Sequence, residues 1–159
     1  MLNIENIENS SPIIPYDSID LSLWNEFQNS LSSVLNISMS IYDTNGIPLM
    51  SSSREEKICN LIKKQTAQGI DICQDSYKKA ITKAIQRAEP YVYKCHTNQQ
   101  IFIIPVILDK NISVAIVGGH IYLSENDLKE FLKNAAAFGM DEFTIHKLGE
   151  KPKINQPED

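Results

Sequence analysis

Two β-forming runs, Gln100–Leu108 and Ile112–Leu123, are separated only by Asp109-Lys110-Asn111. A connection this short leaves no room for the crossover that parallel strands need, so the two runs pair antiparallel. Tyr91–Cys95, a short aromatic run just upstream, adds a third strand to the same sheet. Pro105 lies inside Gln100–Leu108 and predicts an edge or a bulge there, because proline gives no N–H to a ladder. Gly118-Gly119 interrupts Ile112–Leu123 and predicts a bulge or a close backbone approach.

The rest of the chain supplies helices and one more hairpin. Asp20 is placed to cap a helix running to about Asn36, with Trp24, Phe27, Leu31 and Val34 as its apolar stripe. Ile37, Met39 and Ile41 alternate with Ser38, Ser40 and Tyr42, the pattern of a half-buried strand. Asp43-Thr44-Asn45-Gly46 is a turn, and 47–51 reads as the return strand. A helix is expected over 54–68, with Ile58, Cys59, Leu61 and Ile62 on one side and Gly69 just past its end. A second helix is expected from Asp75, burying Tyr77, Ile81, Ala84, Ile85 and Ala88 and stopping at Glu89-Pro90. Ser124 opens a capped helix with Leu128, Phe131, Leu132, Ala135 and Phe138 inward, closed by Gly139. Residues 140–148 are ambiguous between strand and helix. The expected fold class is α+β: a central antiparallel β-sheet with flanking helices and a helical insertion between strands. That is the layout of PAS-like and GAF-like sensor domains.

Composition excludes several function classes. A formal net charge of −5 leaves no basic stripe to neutralise phosphates, which argues against nucleic-acid binding by this domain. No apolar run approaches the roughly 18–20 residues of a membrane span. The acidic, polar residues 1–11 lack the basic and apolar regions of a secretory signal. A cytoplasmic location is expected. Residues 1–19 read as a flexible arm, 20–148 as the domain, and 149–159 as a linker or truncated tail.

The three cysteines are the chemical question. Cys59, Cys73 and Cys95 are separated by thirteen and twenty-one residues, and His96 follows Cys95 directly. No CxxC pair exists, so a zinc ribbon or finger is excluded. Brought together in space, Cys59, Cys73, Cys95 and His96 would suit Zn²⁺ or an iron–sulfur cluster with one non-cysteine ligand. Equally, the thiols can be small buried hydrophobes. Cys95 and His96 would point to opposite faces of a strand unless the strand has ended. A thiol enzyme built on that adjacent pair is therefore disfavoured, and no oxyanion loop or third partner is evident. Cys73, ahead of a helix starting near Asp75, would feel the helix dipole, which lowers a thiol pKa. His120 and His146 have no visible partner and read as structural or exposed.

The stretch from about Asp20 to Phe138 resembles the PocR-type sensory domain, a PAS-like ligand-binding module of prokaryotic signalling proteins. The residues that carry the resemblance are Cys59-Asn60-Leu61-Ile62, Gly69, Cys73-Gln74-Asp75-Ser76 and Tyr91-Val92-Tyr93-Lys94-Cys95-His96, followed by Phe102, Pro105-Val106 and Val117-Gly118-Gly119. Thr97-Asn98-Gln99-Gln100 departs from the family, which usually continues with small residues and a leucine.

The resemblance implies a ligand-sensing domain of a signal-transduction or transcriptional regulator, without catalysis of its own. Its implied ligand is a small hydrocarbon derivative such as a short-chain diol, alcohol or acid. The site expected between sheet and helices comprises Cys59, Cys73, Tyr93, Cys95, Phe102, Ile104, Gly118 and Gly119. The two glycines would open space over the sheet. The terminal helices are expected to pair in a homodimer and carry the signal outward.

Overall fold

The computed structural model describes residues 20–50, 59–61, 64, 69–108 and 113–149. In chain order the elements are α1 (Leu21–Leu35), β1 (Ser38–Tyr42), α2 (Gly69–Arg87), β2 (Tyr91–Lys94), β3 (Gln100–Ile107), β4 (Ser113–Ile121), α3 (Glu125–Asn134), a 3-10 turn (Ala135–Phe138) and α4 (Glu142–Gly149). The four strands form one antiparallel sheet in the order β1-β4-β3-β2. This is the α+β, PAS-like arrangement that the strand spacing predicts. The expected arm at 1–19 and the tail beyond 149 lie outside the described residues. So does most of the expected 54–68 helix, of which residues 59–61 and 64 are helical.

The sheet is covered on both faces, and strand alternation sorts the side chains. Tyr42, Ile101, Ile103, Ala115 and Val117 form the inner face and pack against Cys73, Tyr77, Ile81 and Ala84 of α2. Ile81 and Ile103 are completely buried. Each such side chain contributes about 1.5–3 kcal/mol relative to an exposed one. On the outer face Ile41 and Val114 pack with Trp24 of α1, Leu49, Met50 and Val106. A smaller cluster of Tyr122, Leu128, Phe131, Ala135 and Met140 holds the C-terminal helices together.

Several expectations need correction. All five residues of β1 are buried, so the strand is not half-exposed; helices on both faces of the sheet are the reason. The return strand over 47–51 is reduced to one bridge, Tyr42 to Pro48, because proline has no N–H with which to extend the ladder. On α1 the buried face is rotated away from the expected stripe. Gln28 and Ser32 are buried, whereas Phe27 and Val34 are 50% and 81% exposed. The Ser32 hydroxyl donates to the Ile37 carbonyl just past the helix end, so its burial is satisfied.

Gly69 is not a residue just past a helix end; it is the first residue of α2. The buried stripe of Tyr77, Ile81 and Ala84 extends back at helical spacing to Cys73, and that continuity carries the helix six residues upstream of Asp75. At the other end Ala88 is outside α2, in left-handed backbone, with its N–H on the Ile85 carbonyl.

Other expectations hold. Pro105 lies beyond Ile103, the last β3 residue paired with β2, so β3 is an edge on that side. Gln100 opposes Ile121 and Ile101 opposes Gly119, which leaves His120 as the extra residue of a bulge. The ambiguity over 140–148 resolves to helix: 142–149 are helical, started by Asp141, whose carboxylate accepts from the Thr144 N–H.

Candidate functional site

The β2–β3 connection builds the site. Cys95 N–H donates to the Gln99 carbonyl and Asn98 N–H to the Cys95 carbonyl, both at 2.9 Å. Asn98 takes φ 60°, which asparagine tolerates better than most residues. This tight loop turns polar side chains inward: Thr97 and Gln99 are each only 1% exposed. A buried polar group costs stability unless its bonds are made, so every partner matters.

Gln99 is the hub. Its Nε2 donates to the His120 carbonyl at 3.1 Å. Its Oε1 accepts from the Thr97 hydroxyl at 3.1 Å and from the Cys59 thiol at 3.3 Å. A carbonyl oxygen has no proton to give, so Thr97 spends its single hydrogen there. The Thr97 oxygen, 2.9 Å from Cys95 Sγ, must then accept from the Cys95 thiol. The direction of the chain Cys95 to Thr97 to Gln99 follows from that proton count.

The network reaches α2 through two more contacts. Tyr77 Oη and His120 Nε2 are 2.7 Å apart, with His120 held at φ 57° by the bulge. Tyr93 Oη and Ser76 Oγ are 3.0 Å apart. Burial, above all, raises the Tyr77 and Tyr93 hydroxyls far above the ordinary phenol range, so both stay protonated. Charge on Cys59 or Cys73 would raise Tyr77 further, and charge on Cys95 or Cys73 would raise Tyr93.

Cys73 Sγ lies 3.8 Å from His96 Nε2. β2 has ended at Lys94, so Cys95 and His96 are loop residues and the strand rule no longer separates them. The imidazole meets Cys73 from α2. Burial lowers the His96 pKa, which keeps the ring neutral at pH 7. Cys73 is in the second turn of α2, not ahead of the helix, so the dipole expected to activate it is weaker there.

Of the expected site residues, Cys59, Cys73, Tyr93, Cys95 and His96 converge on this loop and inner face. Gly119 is in the bulge beside them, at φ 103°, with the space of a Cβ occupied by the Gln100 carbonyl. Phe102, Ile104 and Gly118 do not join them. They alternate with Ile101 and Ile103 or with Val117, and so belong to the outer face. The Phe102 ring lies where a Gly118 side chain would project, so that glycine admits an aromatic neighbour. No cysteine is in a disulfide. Among the described residues no group of three or more His, Cys, Asp or Glu side chains is placed to hold a metal ion.

Thr97, Gln99, Ser76, Tyr77 and His120 were not anticipated as site residues. The signal for the first two was a polar pair between two β-forming runs, and it stood only as a departure from the family pattern. His120 is buried and bonded to Tyr77, which needed the fold to reveal.

The loop is also clamped to α3. Lys94 Nζ donates to Asp127 Oδ1 at 2.6 Å, and Asn98 Nδ2 to the Asp127 carbonyl at 3.4 Å. The lysine bond, first, holds the Asp127 carboxyl below its ordinary value of 3.8. A depressed pKa contributes stability above the unfolded-state value, and that contribution is lost as pH falls through the folded-state value. Asp127→Asn should therefore cost about 0.5–1 kcal/mol at pH 7, since Lys94 is half-exposed. Urea titrations at pH 7 and pH 3 should show the variant losing less stability with acid than the parent. Equal acid losses would show that the pair contributes nothing.

Among the described residues no helix is long and apolar enough to cross a membrane. Searches of curated proteins and of solved structures return no match. A family model described as the sensory domain found in PocR matches residues 17–158. That match covers the sheet, the inner-face network and all three cysteines, and the chain belongs to this family of ligand-sensing signalling domains.

Proposed function

We propose that this sensory domain binds a short-chain diol, alcohol or organic acid between α2 and the inner face of the sheet, and reports it to a prokaryotic transcriptional or signalling output. The observation that carries the reading is the buried run of hydroxyl, amide and thiol groups from Cys95 through Thr97 and Gln99 to His120 and Tyr77, set against Ile81, Ile101 and Ile103. A small hydrocarbon derivative needs such a surface: an apolar wall for carbon and a few fixed polar groups for oxygen. Binding shifts a population and needs no chemistry, so the domain has no catalytic role of its own. The exposed Leu23, Phe27 and Val34 on α1 support pairing of two copies through the terminal helices.

A thermal-shift series with propane-1,2-diol, propane-1,3-diol, propan-1-ol and propionate tests the reading. A ligand at a hundredfold excess over its Kd stabilises by about 2.7 kcal/mol, or roughly 5–10 °C in Tm. No shift with any of these probes would overturn it. Sedimentation of the same samples at monomer mass would overturn the pairing. The second reading, a redox sensor holding zinc or an iron–sulfur cluster on Cys59, Cys73, Cys95 and His96, would need these side chains drawn closer together than the described residues place them. It predicts metal by elemental analysis of anaerobically purified protein, and for a cluster a visible absorption band.

A further inference from the structure

The thiol of Cys73 and the imidazole of His96 come from different elements, twenty-three positions apart, and meet at 3.8 Å inside the site. Recognition of a hydroxyl does not require that pair. A thiol is a weak hydrogen-bond donor and adds little to the binding of an alcohol. Its distinctive property is nucleophilicity toward carbon, and an adjacent neutral imidazole is the group that releases it.

From this geometry we infer that Cys73 captures short-chain aldehydes reversibly as a hemithioacetal, with His96 moving the proton. The inference rests on the small-ligand reading and extends its chemical class to aldehydes. Cys73 Sγ forms a bond to the carbonyl carbon as the C=O π bond breaks. The thiol proton passes to His96 Nε2 and from there to the former carbonyl oxygen. Nothing is oxidised or reduced, no group leaves, and no co-reactant is needed.

The surroundings supply the other parts. Ser76, one turn along α2 from Cys73, shares a hydrogen bond with Tyr93. Two hydroxyls joined by one hydrogen bond consume one of their two hydrogens, which leaves the pair one donor for the new oxygen. Ile81 and Ile101 offer an apolar wall to the alkyl chain. The His96 imidazole, bound to the product oxygen, would pull on the 95–99 loop and thus on its clamp to α3.

The test uses the full chain and propanal labelled with ¹³C at its carbonyl. The expected result is a protein-bound hemithioacetal carbon resonance, distinct from the free aldehyde and its hydrate, that vanishes on dialysis. Cys73→Ser should abolish it. His96→Gln should slow its formation about a hundredfold, the low end of proton-transfer catalysis. Because Cys73→Ser alters the core, a second measurement uses the unaltered chain. Propanal should protect the Cys73 peptide from iodoacetamide, read by mass spectrometry, more strongly than propan-1-ol at the same concentration. A resonance that persists in Cys73→Ser, or no resonance and no protection in the parent, overturns the inference. If the diols or alcohols still raise Tm in that case, the sensor reading stands without the covalent step; if they do not, both fall.

Discussion

Gly46→Ala should lower the stability of the domain by about 2–5 kcal/mol, seen as a fall in the urea midpoint with an unchanged slope. Two costs combine. Gly46 has φ 77°, and placing a side chain in left-handed backbone costs about 1–2 kcal/mol. The added Cβ would also lie 2.6 Å from the Gln74 carbonyl oxygen and 2.9 Å from the Lys78 nitrogen. Both are backbone atoms of α2, which do not swing aside as a side-chain tip would. Overpacking of this kind typically adds 1–3 kcal/mol. Gly139→Ala separates the two costs, because Gly139 has φ 75° and is exposed; it should lose only about 1–2 kcal/mol. Equal losses in the two variants would mean that the 43–46 turn does not pack against α2. The contact matters for function because α2 carries Cys73, Ser76 and Tyr77.

Gln99→Leu should cost about 2–4 kcal/mol, although leucine is close to glutamine in size. The change removes the amide donor to the His120 carbonyl and the common acceptor of the Thr97 hydroxyl and the Cys59 thiol. A buried polar group that loses a bond costs up to about 1–3 kcal/mol, least for the thiol. Gln99→Glu gives an independent check. Burial raises the folded-state pKa of the introduced carboxyl, so its favourable neutral form is present below the unfolded value of about 4.3 and lost as pH rises. Protonated, it again donates to the His120 carbonyl. The penalty of Gln99→Glu should thus be smaller near pH 4 than at pH 7, whereas that of Gln99→Leu should not change in this way. If Gln99→Leu is as stable as the parent, the amide is not the hub of the network.

Much of the fold was legible in the residues. Asp109-Lys110-Asn111 between two β-forming runs dictates an antiparallel pair, and Pro105 marks the place where β3 becomes an edge. Ser124 caps α3 and Gly139 closes the turn after it. These features depend on neighbours a few positions away, so spacing alone exposes them. The face of α1 was not legible. Phe27 and Val34 make a good apolar stripe, yet the helix buries Gln28 and Ser32, because Ser32 meets the Ile37 carbonyl and Trp24 packs with Ile41 and Val114. The start of α2 was misjudged for a related reason. Nothing local marks Gly69 as a first residue, and only the groove that accepts Cys73 beneath the sheet requires the extra turns.

The candidate site divides in the same way. The chain alone identified Cys59, Cys73, Cys95 and His96 as the residues worth following, because thiols and imidazole are scarce and their order matches a known pattern. Adjacency on an expected strand argued against pairing His96 with Cys95 and named no other partner for it. Tertiary structure assigned it to Cys73, and gave Cys95 to Thr97 and Cys59 to Gln99. It also separated Phe102, Ile104 and Gly118 from the cluster, since alternation on a strand places neighbours on opposite faces and only packing decides which face meets α2. Hydrogen bonding and side-chain period are local, so the chain determined its own helices, strands and turns. Which thiol meets which partner depends on contacts across twenty to forty positions, and those exist only once the sheet has closed against α2.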